Sequence, residues 1–509
     1  MPSRRDFLRL GVGTGAIAAV GTIGSIPSAA APAGGRGTNW DALRRALAGS
    51  LVLPADAGYD FARQLAVQEY DAVRPKAVAY CTSARDVQTV IKFAQDNGLP
   101  AVPRSGGHSF GGYSTSSGIV LDVSRLNRIE VGGSTVRIGP GSQQVDVLNA
   151  LAPRGLSMVG GTCATVCAGG FIQGGGIGFQ TRKYGLAVDR LVSATVVLAN
   201  GRHVRASATE NPDLFWALRG NGGGNYGVIT DYEVAPTDVR HMVNFNIVFD
   251  WEHAQRVIKA FQPWAYESSN DLAASATIIN EDAGSGNPPI VAIGGAWHGT
   301  VAEIDRLLDQ LVADAGVEPV FRAAQEKSYF DAMMEWYGCA ESTVEQCHRI
   351  GYSPEAQLSR MPYNRMRNRM FAGYVPESNI DRMLAALVAD GRAGQTRLIY
   401  LDTFGGKANE PARTATAFVH RTTKILAGFV CGLNNPNTTT EDTQAATAWL
   451  AAAFPTLEPG SQGESYQNFF DPALPDWRRS YYAENYDRLT RIKRKYDPHQ
   501  FFRFARSIG

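Results

Sequence analysis

Pro103-Arg104-Ser105-Gly106-Gly107-His108-Ser109-Phe110 is the stretch on which the reading of this chain turns. The apolar run Pro100–Pro103 enters it as a strand, and two glycines then place an imidazole in a turn where the backbone carries almost no side-chain bulk. Two more glycine-dense stretches follow, Gly160–Gly176 and Gly220–Gly227, in a 509-residue chain with 54 glycines. Each is read as a loop flanked by strands. None is a clean strand-to-helix turn with the dinucleotide spacing, so the glycine fingerprint of a nucleotide-binding βαβ unit is not met. Together the loops offer many unencumbered N–H groups, which a pyrophosphate needs where no single helix end carries the charge. His108 stands in the first loop, and Cys163 and Cys167 stand in the second.

Outward from this stretch the pattern is mixed. Ala77–Cys81 reads as a strand, Ala84–Asn97 as an amphipathic helix, and Gly118–Val123 and Arg128–Ile138 as strands. Val145–Ala152 reads as a helix, and Leu191–Leu198 turns through Asn200-Gly201 into His203–Ala206 as a hairpin. Asn211–Arg219 reads as a short helix and Tyr226–Val234 as a strand. Beyond about Asp238 the elements lengthen: Met242–Phe249, His253–Phe261, Pro289–Ala296, Val301–Ala315, Ile380–Val388, Arg397–Leu401, Lys424–Cys431 and Ala445–Phe454. Trp477–Tyr496 reads as one charged, tyrosine-rich helix. Strands and helices mixed without regular alternation predict an α+β chain, and its length predicts more than one domain.

Composition narrows the function. With 49 basic and 48 acidic residues there is no global field for nucleic acid, and no dense basic stripe. Ser3-Arg4-Arg5-Asp6-Phe7-Leu8 resembles a twin-arginine export signal, followed by a weakly apolar stretch and small residues around Ala29–Ala33. That stretch is too short and glycine-rich to span a bilayer, so the expectation is a secreted or cell-envelope protein without stable membrane insertion. Export by that route occurs after folding, often because a cofactor is inserted first. Of the six cysteines, Cys339 and Cys347 could form one bridge in an oxidising compartment, while Cys81 and Cys431 read as buried thiols.

At the glycine loops the chain resembles the berberine-bridge-enzyme-like oxidases of the vanillyl-alcohol-oxidase superfamily. The resemblance rests on Pro103–Phe110, on Gly161-Thr162-Cys163-Ala164-Thr165-Val166-Cys167-Ala168-Gly169-Gly170, and on Gly174–Gly178, Arg182–Leu186 and Gly222–Ile229. It resumes at Phe404-Gly405-Gly406, His420-Arg421, Tyr481–Leu489 and Asp497-Pro498. It implies a two-part PCMH-type FAD-binding domain, residues 39–239 and 464–509, with an inserted α/β-mixed substrate domain at 240–463 and the signal segment at 1–35. It also implies FAD bonded at its 8α-methyl to His108 and, as in bicovalent relatives, at C6 to Cys163, with Cys167 a packing thiol. Arg104, Ser105, Gly106, Gly107, Ser109, Gly161, Thr162, Val166, Gly169, Gly170, Gly174, Gly176, Gly227, Val228, Ile229 and Asn485 are the further cofactor-binding residues that follow from it.

The implied activity is hydride transfer from an alcohol, carbohydrate or secondary-metabolite substrate to FAD, with molecular oxygen reduced to hydrogen peroxide. A dehydrogenase using another acceptor, or a flavin-binding protein without turnover, is the alternative. The catalytic base is less legible. Tyr466-Gln467-Asn468-Phe469 lacks the second tyrosine of the relatives' segment, Thr422–Leu433 holds no carboxylate, and Phe171 stands where a histidine often follows the paired glycines. Tyr466, Tyr482 and Asp402 are the candidates left. Val166, small and aliphatic, would leave oxygen a path, and Trp264, Trp297, Trp336 and Tyr337 could line a substrate platform or pack the core.

Overall fold

The strand Ala101–Arg104, which delivers the chain to the first glycine loop, lies at the edge of a four-stranded sheet ordered Ser50–Val52, Ala77–Tyr80, Ile119–Asp122, Ala101–Arg104. The last three run parallel and the first antiparallel. The computed structural model describes residues 38–433, 435 and 438–509. The expected export signal at 1–35 lies outside them. Among the described residues no helix is long and apolar enough to cross a membrane.

A second sheet of five antiparallel strands has the order Ile129–Val131, Val136–Ile138, Val228–Val234, Leu191–Val197, His203–Ser207. The hairpin expected at Asn200-Gly201 is its Leu191–Val197 and His203–Ser207 pair. Val228–Val234 leads out of the third glycine loop, so both small sheets feed glycine turns toward one place.

The third sheet has seven antiparallel strands in the order Phe321–Ser328, His241–Phe249, Ile290–Trp297, Leu272–Asn280, Gln395–Thr403, Ile425–Leu433, Asn364–Phe371. Helices Ala254–Glu267, Val301–Ala315, Glu377–Val388 and Thr440–Ala453 pack on this sheet and on one another. The helix faces show why: Val257, Ile258, Phe261 and Trp264 on the first, and Ile304, Leu308 and Leu311 on the second, repeat at three and four residues and are buried. The fold is thus α+β, with parallel and antiparallel sheets side by side.

Three readings need correction. Trp477–Tyr496 is not one helix: Trp477–Tyr482 ends at Ala483, whose φ of 39° breaks the spiral, and Tyr486–Tyr496 resumes after a tight turn. The Gly160–Gly176 stretch is not all loop, because Ala168–Gln173 forms a short helix containing Gly169 and Gly170. Leu272–Asn280, Phe321–Ser328 and Asn364–Phe371 were not recognised as strands. The first has almost every residue buried, so covering on both faces erased the alternation that marks a strand.

Candidate active site

A cavity of about 460 Å³ opens where the glycine loops meet one face of the seven-stranded sheet. Its walls include Ser105–Ser109, Gly161–Cys163, Val166, Gly222–Gly224 and Gly227–Ile229 from the loop side. From the sheet come Ser275, Leu398, Tyr400, Asp402 and Val430, and from the C-terminal segment Tyr466 to Phe470.

The first loop is built to expose its backbone. Arg104 is buried, donates through Nε to Asp122 at 2.5 Å and through a terminal nitrogen to the Ala62 carbonyl at 2.7 Å, and so locks the strand end. Among the described residues the backbone N–H groups of Ser105, Gly106, Gly107, His108 and Ser109 then donate to no protein acceptor. Five consecutive free donors on a cavity wall are what a diphosphate requires. A Cβ at Gly106 would stand 3.0 Å from the Cys167 amide nitrogen and Sγ, so glycine is needed for the close approach of the two loops. In the third loop Gly222, Gly223 and Gly224 all have left-handed φ of 82°, 88° and 69°, which lets the backbone curl under the cavity. These features fit a flavin dinucleotide.

His108 is partly buried, with Nε2 2.9 Å from the Thr165 hydroxyl, which joins the first loop to the second. Burial, aided by the nearby Arg349 charge, lowers its pKa to about 4, so the ring is neutral at ordinary pH. Cys163 lines the same cavity, its thiol pKa raised by burial. Cys167 also borders it but donates to the Gly141 carbonyl at 3.2 Å. Cys339 and Cys347 are disulfide-bonded, and Cys81 and Cys431 are buried free thiols.

Of the three candidate bases, the cavity gathers two. Asp402 sits on the sheet face; burial raises its pKa to about 6, opposed by a hydrogen bond from Ser275. Tyr466 accepts hydrogen bonds on its hydroxyl oxygen from the Gly176 N–H at 3.0 Å and from Asn468 Nδ2 at 2.9 Å. Burial raises its pKa, and these donors oppose the rise.

Tyr482 is a correction. It does not border the cavity; its hydroxyl donates to the Asn221 carbonyl at 2.8 Å and props the third glycine loop from behind. Asn485 is likewise withdrawn, its amide donating to the Arg413 and Thr416 carbonyls at 2.9 and 3.1 Å. Gly174 and Gly176 lie behind the wall, the first packed where a Cβ would collide with Asn468, the second donating to Tyr466. The other cofactor candidates, Arg104, Ser105, Gly106, Gly107, Ser109, Gly161, Thr162, Val166, Gly169, Gly170, Gly227, Val228 and Ile229, all border the cavity.

Trp336 alone of the four candidate platform aromatics reaches the cavity; Trp264 donates to the Leu307 carbonyl among the helices. Sequence reasoning passed over Thr165, Ser275 and Tyr400. Thr165 lay inside the recognised cysteine loop, whereas nothing in Leu272–Asn280 marked Ser275 as facing a site.

Glycine loops with free backbone donors, facing a seven-stranded sheet across one cavity, define a flavoprotein with an FAD-binding domain. It is an FAD-linked oxidoreductase: residues 75–207 match the FAD binding domain and residues 465–509 the berberine and berberine-like domain. It is 27% identical over 472 residues to the FAD-linked oxidoreductase YgaK of Bacillus subtilis, covering 91% of this chain and 97% of that one. The structure superposes on BBE-like 1 of Physcomitrella patens with a TM-score of 0.82 at 24% identity, covering 92% and 98% of the two chains. It also matches glucooligosaccharide oxidase of Acremonium strictum, a 6-S-cysteinyl, 8α-N1-histidyl FAD enzyme, with a TM-score of 0.78 at 24% identity over 92% and 98%. These two likenesses are of fold.

Proposed function

We propose that this protein is an exported oxidase with FAD bonded to both His108 and Cys163, which oxidises a small alcohol, carbohydrate or secondary metabolite and reduces oxygen to hydrogen peroxide. The observation that carries the reading is the row of five free N–H groups at Ser105–Ser109, in one cavity with His108, Cys163 and Asp402. When bound, FAD supplies a two-electron acceptor that takes a hydride from substrate carbon and passes the electrons to oxygen.

The chain's own residues do the rest. The Ser105–Ser109 amides hold the diphosphate. His108, neutral and held at Nε2 by Thr165, keeps Nδ1 open for the bond to the ring methyl. Cys163, on the same cavity wall, is the residue for the second bond. Asp402, whose pKa stands at about 6, is ionised at neutral pH and basic enough to take the substrate hydroxyl proton. Tyr466, its oxygen held by two donors, orients the substrate beside it. Residues 39–239 with 464–509 form the flavin-binding part and 240–463 the substrate part. The arginine pair near the N-terminus supports export.

The test is to denature and precipitate the protein and ask where the yellow colour goes. Colour is expected to stay with the peptide in wild type and in His108→Ala or Cys163→Ala alone, and to be released in the double variant. Release of free flavin from wild type would sink the covalent reading.

A further inference from the structure

The sheet face that roofs the cavity carries many polar side chains, but most are already spent. Ser275 and Thr277 share a hydrogen bond at 3.4 Å, Thr396 donates to the Glu281 carbonyl at 2.7 Å, and Thr403 donates to the Ala274 carbonyl at 2.7 Å. At the C-terminal segment the Gln467 amide is held by His420 and the Gly220 carbonyl, and the Asn468 amide by Phe171 and Tyr466. Two groups on the central strand keep capacity for a ligand: the Tyr400 hydroxyl, and the Asp402 carboxylate, which takes one hydrogen bond from Ser275 and can accept others. The Tyr400 hydroxyl is buried, 7% exposed for the residue as a whole, and has no hydrogen-bond partner among the described residues. Asp402 lies two residues further along, so both side chains stand on the cavity face of one strand. Leu398, Leu426, Val430, Met366, Phe110 and Phe469 supply hydrocarbon to the same wall, while Thr277 and Ser275 stand beside Tyr400 and Asp402 across the strand pairing and Asn364 adds a buried amide oxygen without a partner among the described residues.

Physical chemistry then constrains what can sit there. A buried hydroxyl without a partner costs free energy that a ligand oxygen can recover. The pair offers one donor, Tyr400, beside one acceptor, Asp402, which is the complement of a single alcohol group. Among the described residues Arg104 is the one guanidinium bordering the cavity and no lysine borders it; Arg104 is already paired with Asp122, so an anionic substrate would find no counter-ion there.

Resting on the oxidase reading above, we infer that the substrate is an uncharged alcohol on a compact apolar body, with Tyr400 as the specificity residue that donates to its oxygen while Asp402 accepts its proton. The alcohol loses that proton and a carbon-bound hydride and becomes the carbonyl; the two electrons pass to the FAD of the proposed oxidase and on to oxygen.

The experiment titrates holoprotein with benzyl alcohol, cinnamyl alcohol, cellobiose and benzoate, following heat of binding, flavin bleaching without air, and steady-state oxygen uptake. Both aromatic alcohols are expected to bind and bleach, and cellobiose and benzoate to do neither. Tyr400→Phe is expected to raise the half-saturating alcohol concentration about tenfold, the worth of one hydrogen bond, with kcat changed less than about twofold. The missing hydroxyl had no partner, so Tm should not fall. Saturation by cellobiose below the aromatic alcohols, binding of benzoate, or unchanged saturation in Tyr400→Phe would each overturn the inference. Binding of the alcohols without bleaching would leave the substrate pocket supported and count against the oxidase reading, so the two failures are separable.

Discussion

Lys493 and Asp497 form a buried ion pair, Nζ to Oδ2 2.7 Å, with side chains 1% and 0% exposed. The same ammonium donates to the Phe502 carbonyl at 2.6 Å and to the Asn225 carbonyl of the third glycine loop. The Asp497 carboxylate accepts from the Phe501 and Phe502 amides at 2.8 and 2.9 Å. Asn225 Oδ1 in turn accepts from the Ile508 amide at 2.9 Å, so the chain end is fastened under the cavity.

Removing the cation strands a buried carboxylate. Lys493→Met is expected to lower the unfolding free energy by about 3–5 kcal/mol, read from denaturant midpoints at constant slope. Adding Asp497→Asn should restore part of that loss, because the stranded charge goes while an acceptor for the backbone amides remains.

Gly106→Ala tests the free-amide cradle. Its methyl would press on the Cys167 amide and Sγ at 3.0 Å, forcing the first two loops apart. The protein should fold but purify with a reduced ratio of visible flavin absorbance to protein absorbance. Gly133→Ala, where a Cβ meets nothing within 4 Å, is the control and should keep full flavin.

Asp402 sets a pH dependence of known sign. As a base it must be ionised, so kcat/KM should rise with pH through about 6 and then level, and Asp402→Asn should lose both the rise and most of the activity. Because its folded pKa lies above the unfolded value of 3.8, the folded state holds this proton more tightly. Stability from the group is therefore present below about pH 4 and lost as pH rises through about 6. Asp402→Asn should accordingly melt higher than wild type above that range, in a thermal scan, and show no such gain below it.

Tyr466→Phe removes the acceptor shared by the Gly176 N–H and Asn468. The buried Gly176 N–H loses its partner and Asn468 keeps only the Phe171 carbonyl, so a stability cost of about 1–3 kcal/mol is expected. If the hydroxyl also orients substrate, kcat should fall while flavin retention after denaturation stays complete.

Much of the flavin end was legible because its chemistry is local. His108 and Thr165, or Gly106 and Cys167, belong to two short glycine loops whose composition already announces close backbone approach. The substrate end was not. Asp402 was named only as one of three candidate bases, and Ser275 and Tyr400 were not named; they come from neighbouring strands brought side by side by the sheet, and the Ser275–Asp402 register is a product of pairing that no local pattern encodes. Tyr482 and Asn485 misled for the opposite reason: they lie in a recognisable segment, yet their polar groups support the loops from outside.

The sequence by itself determined the α+β class, the glycine loops, the histidine and cysteine that share the cavity, and the tail that completes the fold, because each is written in contiguous residues. Only the tertiary structure decided that Asp402 and Tyr466 of the three candidates border the cavity, that Tyr482 props a loop, and that the hydroxyl of Tyr400 is left without a partner among the described residues. Those depend on burial and on which hydrogen bonds are already made, and both are properties of packed neighbours far apart in the chain.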